Sequence, residues 1–166
     1  MFRSPKVNKY FLSGIIISAV VIIDQVTKFL VQANLPLNKS IVVLDGFFNI
    51  TYIRNTGGAF GILSGMSSPF FLISSSIALL IVVFYLVKAP KDNIWLIVSL
   101  SLISGGAIGN MIDRIRFGEV IDFIDTFYKN YHWPVFNIAD SSITIGVFIL
   151  FLDMIFSRKS TTYREK

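Results

Sequence analysis

Hydrophobic residues in this chain come in four long stretches, separated by two long polar-and-aromatic connections and one short basic turn. A helix needs about 20 mostly apolar residues to cross the hydrocarbon core of a bilayer, and the stretches 10–32, 69–87, 93–112 and 137–156 each reach roughly that length. The second and third contain no Asp, Glu, Lys or Arg from Pro69 to Val87 and from Asn93 to Ile112. The first contains Asp24 and Lys28, and the fourth contains Asp140 near its start and Asp153 near its end. The pattern predicts an all-α membrane protein: a single membrane domain over 1–166 with four transmembrane helices.

The connections differ in character. In 33–68, Ile41–Leu44 and Phe47–Arg54 are rich in β-branched and aromatic residues and flank Asp45-Gly46, which predicts a small β segment turning through a type I′ hairpin. In 113–136, Val120, Phe123, Ile124, Phe127 and Tyr131 recur at helical spacing with Asp122, Asp125, Thr126 and Lys129 between them. That spacing predicts an interfacial helix, with Tyr128, Tyr131 and Trp133 at headgroup depth.

Charge sets the orientation. Arg3, Lys6 and Lys9 precede the first stretch, Lys88 and Lys91 lie in the short turn, and Arg158, Lys159, Arg164 and Lys166 follow the fourth. Threading four spans puts all three groups on one side, and the positive-inside rule makes that side the cytoplasm. Both termini are then cytoplasmic and both long connections extracytoplasmic. The basic start and apolar run to Ile23 also suit a cleaved signal peptide, but Phe29, Leu30 and Val31 renew the apolar character after Asp24 without an A-x-A-like site, which favours a retained helix.

Composition narrows the chemistry. Charged residues are 15% and hydrophobic ones 54% of the 166, with a net charge of +5, and the mean hydropathy is +0.69. A soluble domain carries about 25% charged residues. The basic excess sits in membrane flanks, so no nucleic-acid partner is expected. With no cysteine and one histidine, His132, thiolate chemistry, Cys-based metal sites and disulfides are excluded, and a His-dependent triad has little to work with. No metal or organic cofactor is expected.

Ionisable groups in hydrocarbon are costly, by about 2.5 to 3.5 kcal/mol at a helix centre. The topology gathers Asp24, Lys28, Asn110, Asp113, Arg114, Asp122, Asn137 and Asp140 at the outer surface. Each has an ordinary explanation by itself. Asp24 and Lys28 form a neutralised i,i+4 pair. Asn137 and Asp140 have the spacing of a capping box with Asp for Glu. Gly105 and Gly109 match the small-xxx-small pattern of packed membrane helices, and Asp122 and Asp125 suit the wet face of an interfacial helix. Capping and pairing do not explain why so many carboxylates collect on one side. Two carboxylates sharing a site split their protonation, one acting as general base on water and the other as general acid. By spacing alone, that pair is any two of Asp113, Asp122, Asp125 and Asp140. A proton-coupled carrier predicts acids near the midplane and often internal repeats, a structural scaffold has no use for the polar cluster, and the GxGD signature of presenilin-type proteases is absent.

Five ordered segments then carry a resemblance: Asp24–Lys28, Arg54–Gly61, Gly105–Arg114, Gly118–Phe123 and Phe136–Ser142. Together they resemble the motif blocks of lipoprotein signal peptidase, the type II signal peptidase of bacteria. The resemblance implies a multi-pass aspartyl endopeptidase of the bacterial cytoplasmic (inner) membrane, with its active site at the extracytoplasmic surface. It implies cleavage of diacylglyceryl-modified prolipoproteins before the lipidated cysteine, contact with membrane lipid, and binding of globomycin-type cyclic peptide inhibitors. By motif position Asp122 and Asp140 correspond to the catalytic pair, holding a water between them. Asp24, Lys28, Asn55, Gly57, Gly106, Asn110, Asp113, Arg114, Asn137 and Ala139 fall on supporting positions. Asn110 and Asn137 are expected to bond the carboxylates or the substrate backbone, and Asp113 with Arg114 to fix the end of the third span. Asp24 with Lys28 is expected to tether the outer loop, and the β segment with the Asn55 loop to cover the substrate peptide. Gly57-Gly58-Ala59 departs from the Gly-Ala-Ala of many relatives.

Overall fold

A computed structural model describes residues 8–57, 68–129 and 131–162, with side chains as far as residue 156. Four helices, α1 (Lys9–Asn34), α2 (Ser68–Lys88), α3 (Ile94–Phe117) and α4 (Ile138–Thr162), are joined by strands β1 (Ser40–Leu44), β2 (Phe48–Asn55), β3 (Val120–Tyr128) and β4 (Tyr131–His132). All four helices are long and apolar enough to cross a membrane. Gly58 to Ser67 lie outside the described residues, as do Arg3, Lys6, Arg164, Lys166 and the side chains of Arg158 and Lys159.

The helix ends follow from local chemistry. Lys9 is buried and donates from Nζ to the carbonyls of Val87 in α2 and of Ala89 just beyond it, at 2.7 and 2.8 Å, satisfying acceptors at the helix C-terminus that α2 cannot pair internally. Asn93 caps α3 by accepting from the Leu96 N–H at 3.0 Å, and its amide reaches Asp153 of α4 at 3.1 Å. One end of the bundle is therefore made by the start of α1, the end of α2, the start of α3 and the far part of α4. At the other end α3 continues five residues past the predicted 112 and stops where Gly118 takes φ +75° as a left-handed cap.

α3 is the centre of the bundle, packing against α1, α2 and α4. Its buried residues include Ser99, Ser101, Ser104, Gly105, Gly106 and Gly109, small residues that let backbones approach in the absence of a hydrophobic drive between helices. The serine hydroxyls are spent inside the helix, Ser101 donating to Ile97 O at 2.6 Å and Ser104 to Leu100 O at 2.8 Å. α2 lies at the periphery, with Leu80 70% and Ile73 61% exposed, as expected of a surface that faces lipid tails.

The strands form an antiparallel sheet in the order β1-β2-β3-β4. It packs on the end of α1, where Val31 and Leu35 meet Tyr52, Ile121 and Phe123. Two expectations are corrected here. Residues 120–128 are a strand, and no interfacial helix occurs in the described part of 113–136. β3 has β2 on one side and the returning chain on the other, and Val120 to Phe123 are all buried. A strand buried on both faces reads as a continuous apolar run, and such a run contains chance i, i+3, i+4 matches. The β1–β2 turn is also not type I′, which needs two left-handed residues. Gly46 alone is left-handed, at φ +78°, and three residues separate the paired Leu44 and Phe48.

Candidate active site

The site begins with a helix start. Asn137 precedes α4 and accepts the Asp140 N–H on its Oδ1 at 2.8 Å, while Asp140 Oδ2 accepts the Asn137 N–H at 3.3 Å. This is the capping box expected from spacing, with Asp in place of Glu. The cap uses only one end of Asn137. Its Nδ2 donates to Asp122 Oδ1 on β3 at 2.7 Å and to Asn110 Oδ1 on α3 at 3.1 Å. Asn110 donates in turn from Nδ2 to Asp140 Oδ1 at 2.8 Å. Two asparagines from different elements thus connect the two carboxylates, and capping and site-building are done by the same residues.

Asp122 is buried, at 1% exposure. Its second oxygen accepts from Asn55 Nδ2 at 3.0 Å, and Asn55 Oδ1 accepts the Gly57 N–H at 2.8 Å. The chain after β2 is thereby folded back onto the carboxylate. Arg114 holds the same turn from below, donating to the Gly57 carbonyl at 3.0 Å with its guanidinium 5.3 Å from the Phe71 ring centroid. Gly58 and Ala59, where the motif departs from many relatives, lie outside the described residues.

Beneath the pair is a charged knot. Lys28 Nζ lies 2.8 Å from Asp24 Oδ2, 2.8 Å from Asp113 Oδ2 and 3.0 Å from Asn110 Oδ1, and Lys28, Asp24 and Asp113 are at most 1% exposed. Asp24 Oδ1 accepts the Ala139 N–H at 2.9 Å, and Asp113 Oδ2 accepts the Ile121 N–H at 3.2 Å. Asp24 and Lys28 do not tether the outer loop. They join α1 to α3 and to the first turn of α4, since the i,i+4 pair faces the bundle interior. Asp113 likewise sits within α3, not beyond its end. Gln25, which sequence reasoning passed over, donates to Asp113 Oδ1 at 2.9 Å and to Gly109 O at 3.2 Å; its place in the Asp24–Lys28 block was the available signal. Gly106 closes the set. A Cβ there would run into the Ala139 carbonyl oxygen and come within 2.7 Å of Ile143.

Asp122 and Asp140 both line a cavity of about 560 Å³ whose walls are mostly apolar, with Phe71 and Ala78 of α2, Ile103 and Ala107 of α3 and Ile143 of α4. Of the four carboxylates that spacing left open, the other two are engaged elsewhere: Asp113 with Lys28, and Asp125 with Thr51 and His132. Burial, and then the charge on Asp140, push the Asp122 pKa from 3.8 up to about 7, against the opposing hydrogen bonds from Asn55 and Asn137. Among the described residues no cluster of three or more His, Cys, Asp or Glu stands ready to hold a metal ion.

Four membrane-spanning-capable helices, a small sheet and two carboxylates lining one mostly apolar cavity define a class: a small helical membrane protein with a paired-carboxylate site. The sequence profile of the family described as signal peptidase (SPase) II matches residues 16–156. The chain is 49% identical over 144 residues to the lipoprotein signal peptidase of Syntrophus aciditrophicus, covering 84% of this chain and 89% of that one. It is 46% identical over 161 residues to that of Staphylococcus aureus strain Newman, covering 96% and 97%. A solved bacterial membrane enzyme, determined by the in meso method at 2.3 Å, superposes with a TM-score of 0.82 at 42% identity over 90% of each chain. The chain belongs to the signal peptidase II family, a family of membrane proteases.

Proposed function

We propose that this protein is a membrane aspartyl endopeptidase that removes signal peptides from diacylglyceryl-modified prolipoproteins, cutting before the lipidated cysteine with a water activated between Asp122 and Asp140. The observation that carries the reading is the pair of asparagine links, through Asn137 and Asn110, that bring these two carboxylates to one cavity. Family membership supplies the substrate class, and the relatives' name, lipoprotein signal peptidase, matches it.

The ionised member of the pair takes a proton from the water as its oxygen adds to the scissile carbonyl carbon. The protonated member gives its proton to the leaving nitrogen as the C–N bond breaks. The products are a signal peptide ending in a carboxyl group and a free amine on the lipidated cysteine, with one proton again on the pair. The raised proton affinity of Asp122 supports a resting state with one shared proton. Asn55 and Asn137 orient Asp122, and Asn110 orients Asp140. The apolar walls given by Phe71, Ala78, Ile103 and Ile143 suit acyl chains and signal-peptide side chains entering from lipid. The basic flanks support cytoplasmic termini and a site at the extracytoplasmic surface of the inner membrane.

The test is to incubate the purified protein with lipidated and unlipidated forms of one precursor, with and without globomycin. Cleavage confined to the lipidated form and blocked by the cyclic peptide is expected. Equal cleavage of both forms refutes the lipid-dependent part.

A further inference from the structure

The sheet contains a second polar cluster that the proposed chemistry leaves unused. Asp125 is only 5% exposed, although it projects from the most polar part of β3. Its Oδ2 accepts from Thr51 Oγ1 at 2.9 Å, and Thr51 is bonded in turn to the Ser40 hydroxyl at 2.8 Å. Its Oδ1 lies 3.0 Å from His132 Nδ1, and the imidazole stacks on Phe127 at 4.7 Å with 14° between the planes. One carboxylate therefore ties β2, β3 and β4 together.

The chain that leaves β4 explains why this matters. Trp133 N–H donates to Thr126 O at 2.9 Å, and Phe136 N–H donates to Ile124 O at 3.1 Å. Between these bonds Pro134 and Val135 stand opposite the single residue Asp125, which makes a bulge, and Pro134 has no N–H to return to the ladder. Trp133, Pro134, Val135 and Phe136 all line the cavity that contains Asp122 and Asp140. On the α4 side the bulge is fixed by bonds in both directions between Phe136 and Ile124, at 2.8 and 3.1 Å. On the other side it is held by a strand of two residues, too short to be stable alone. His132 is one of those two.

We propose that Asp125 and His132 are positioning residues: a latch that holds the Trp133–Val135 bulge at the mouth of the cavity and so sets how firmly substrate is gripped, without touching the bonds that change. The inference rests on the protease reading above and assigns a role to residues outside the acid–base pair. A latch of this kind acts on binding of substrate and transition state alike, so its loss appears in KM and leaves kcat in place.

The experiment compares wild type, His132→Phe, His132→Asn and Trp133→Ala with a lipidated precursor. His132→Phe keeps a ring against Phe127 and removes the N–H, and is expected to raise KM about fivefold, the size of one net hydrogen bond, with kcat nearly unchanged. His132→Asn puts an amide N–H near the position of Nδ1 and is expected to restore KM. Trp133→Ala is expected to raise KM in the same way, and adding His132→Phe to it to do little more. A wild-type KM in His132→Phe, a fall in kcat at constant KM, or failure of His132→Asn to rescue overturns the latch. Amide hydrogen exchange gives a readout that needs no turnover. His132→Phe is expected to speed exchange at Trp133 about fivefold with little change at Phe136, which is bonded both ways to Ile124, and His132→Asn to leave both at the wild-type rate. Unchanged exchange at Trp133 in His132→Phe overturns the latch whatever the protein cleaves, whereas absence of cleavage by wild type counts against the protease reading.

Discussion

Replacing Lys28 by Met removes the only cation in direct contact with Asp24 and Asp113 among the described groups, and it does so where water cannot follow. Lys28 Nζ is 2.8 Å from each carboxylate, and all three residues are at most 1% exposed. At an effective dielectric of about 20, each contact corresponds to about 6 kcal/mol of gross Coulomb energy. The net loss is much smaller, because the intact pairs have already given up their hydration. Breaking a buried pair by removing one partner typically costs about 3 to 5 kcal/mol, most of it from the uncompensated charge left behind. Lys28→Met leaves two such carboxylates, held 2.9 Å from the Ala139 N–H and 3.2 Å from the Ile121 N–H, so the upper part of that range is expected. The assay is equilibrium unfolding of the purified protein in mixed micelles, followed by helix content. If the penalty is stranded charge, adding Asp24→Asn and Asp113→Asn to Lys28→Met recovers about half of the loss or more. A cost below about 1 kcal/mol for Lys28→Met, within the range of an exposed pair, refutes the reasoning. So does a triple variant no more stable than the single one.

Further outcomes follow from the same geometry. Because Asp122 binds its proton in the folded protein up to about pH 7 but only to about 3.8 when unfolded, the folded state holds more protons between those values. Stability therefore falls as pH rises through that window, and Asp122→Asn flattens the slope. If the pair works with one shared proton, kcat/KM also falls above pH 7, and a profile flat to pH 9 contradicts this. At Gly106 an added methyl meets the Ala139 carbonyl and Ile143, whereas at Gly14 it meets nothing within 4 Å. Gly106→Ala is expected to lose about 1 to 3 kcal/mol by overpacking the α3–α4 contact, and Gly14→Ala to be neutral or slightly stabilising; equal unfolding midpoints count against the packing account.

The four helices were legible because membrane spans announce themselves by length and by absence of charge, a signal that local context hardly alters. The hairpin was legible from Asp45-Gly46 and its flanks, although the turn type was not, since that depends on the backbone at Asp45 and not only on the presence of a glycine. β3 was misread for a physical reason. Its burial on both faces erases the alternation that marks a strand, and Val120, Ile121, Phe123, Ile124 and Phe127 remain as β-branched and aromatic evidence that periodicity overrode. At the site, spacing left four candidate acids, because sequence separation does not say which carboxylates share a cavity. The distinction lies in partners far along the chain: Lys28 takes up Asp113, Thr51 and His132 take up Asp125, and Asn110 and Asn137 reach Asp122 and Asp140. The role expected of Asp24 and Lys28 failed similarly. Their i,i+4 spacing fixed that they share a face, but whether that face meets the loop or the bundle is decided by how α1 packs against α3.

The central claim is that one water is activated between Asp122 and Asp140. It is tested most directly by single-turnover cleavage of a lipidated precursor by wild type, Asp122→Asn and Asp140→Asn, with each protein checked for intact folding. Either substitution is expected to reduce cleavage by at least about a thousandfold, as loss of one member of an acid–base unit does, while Asp125→Asn costs far less. Near-normal turnover by a folded Asp122→Asn or Asp140→Asn protein would contradict the account.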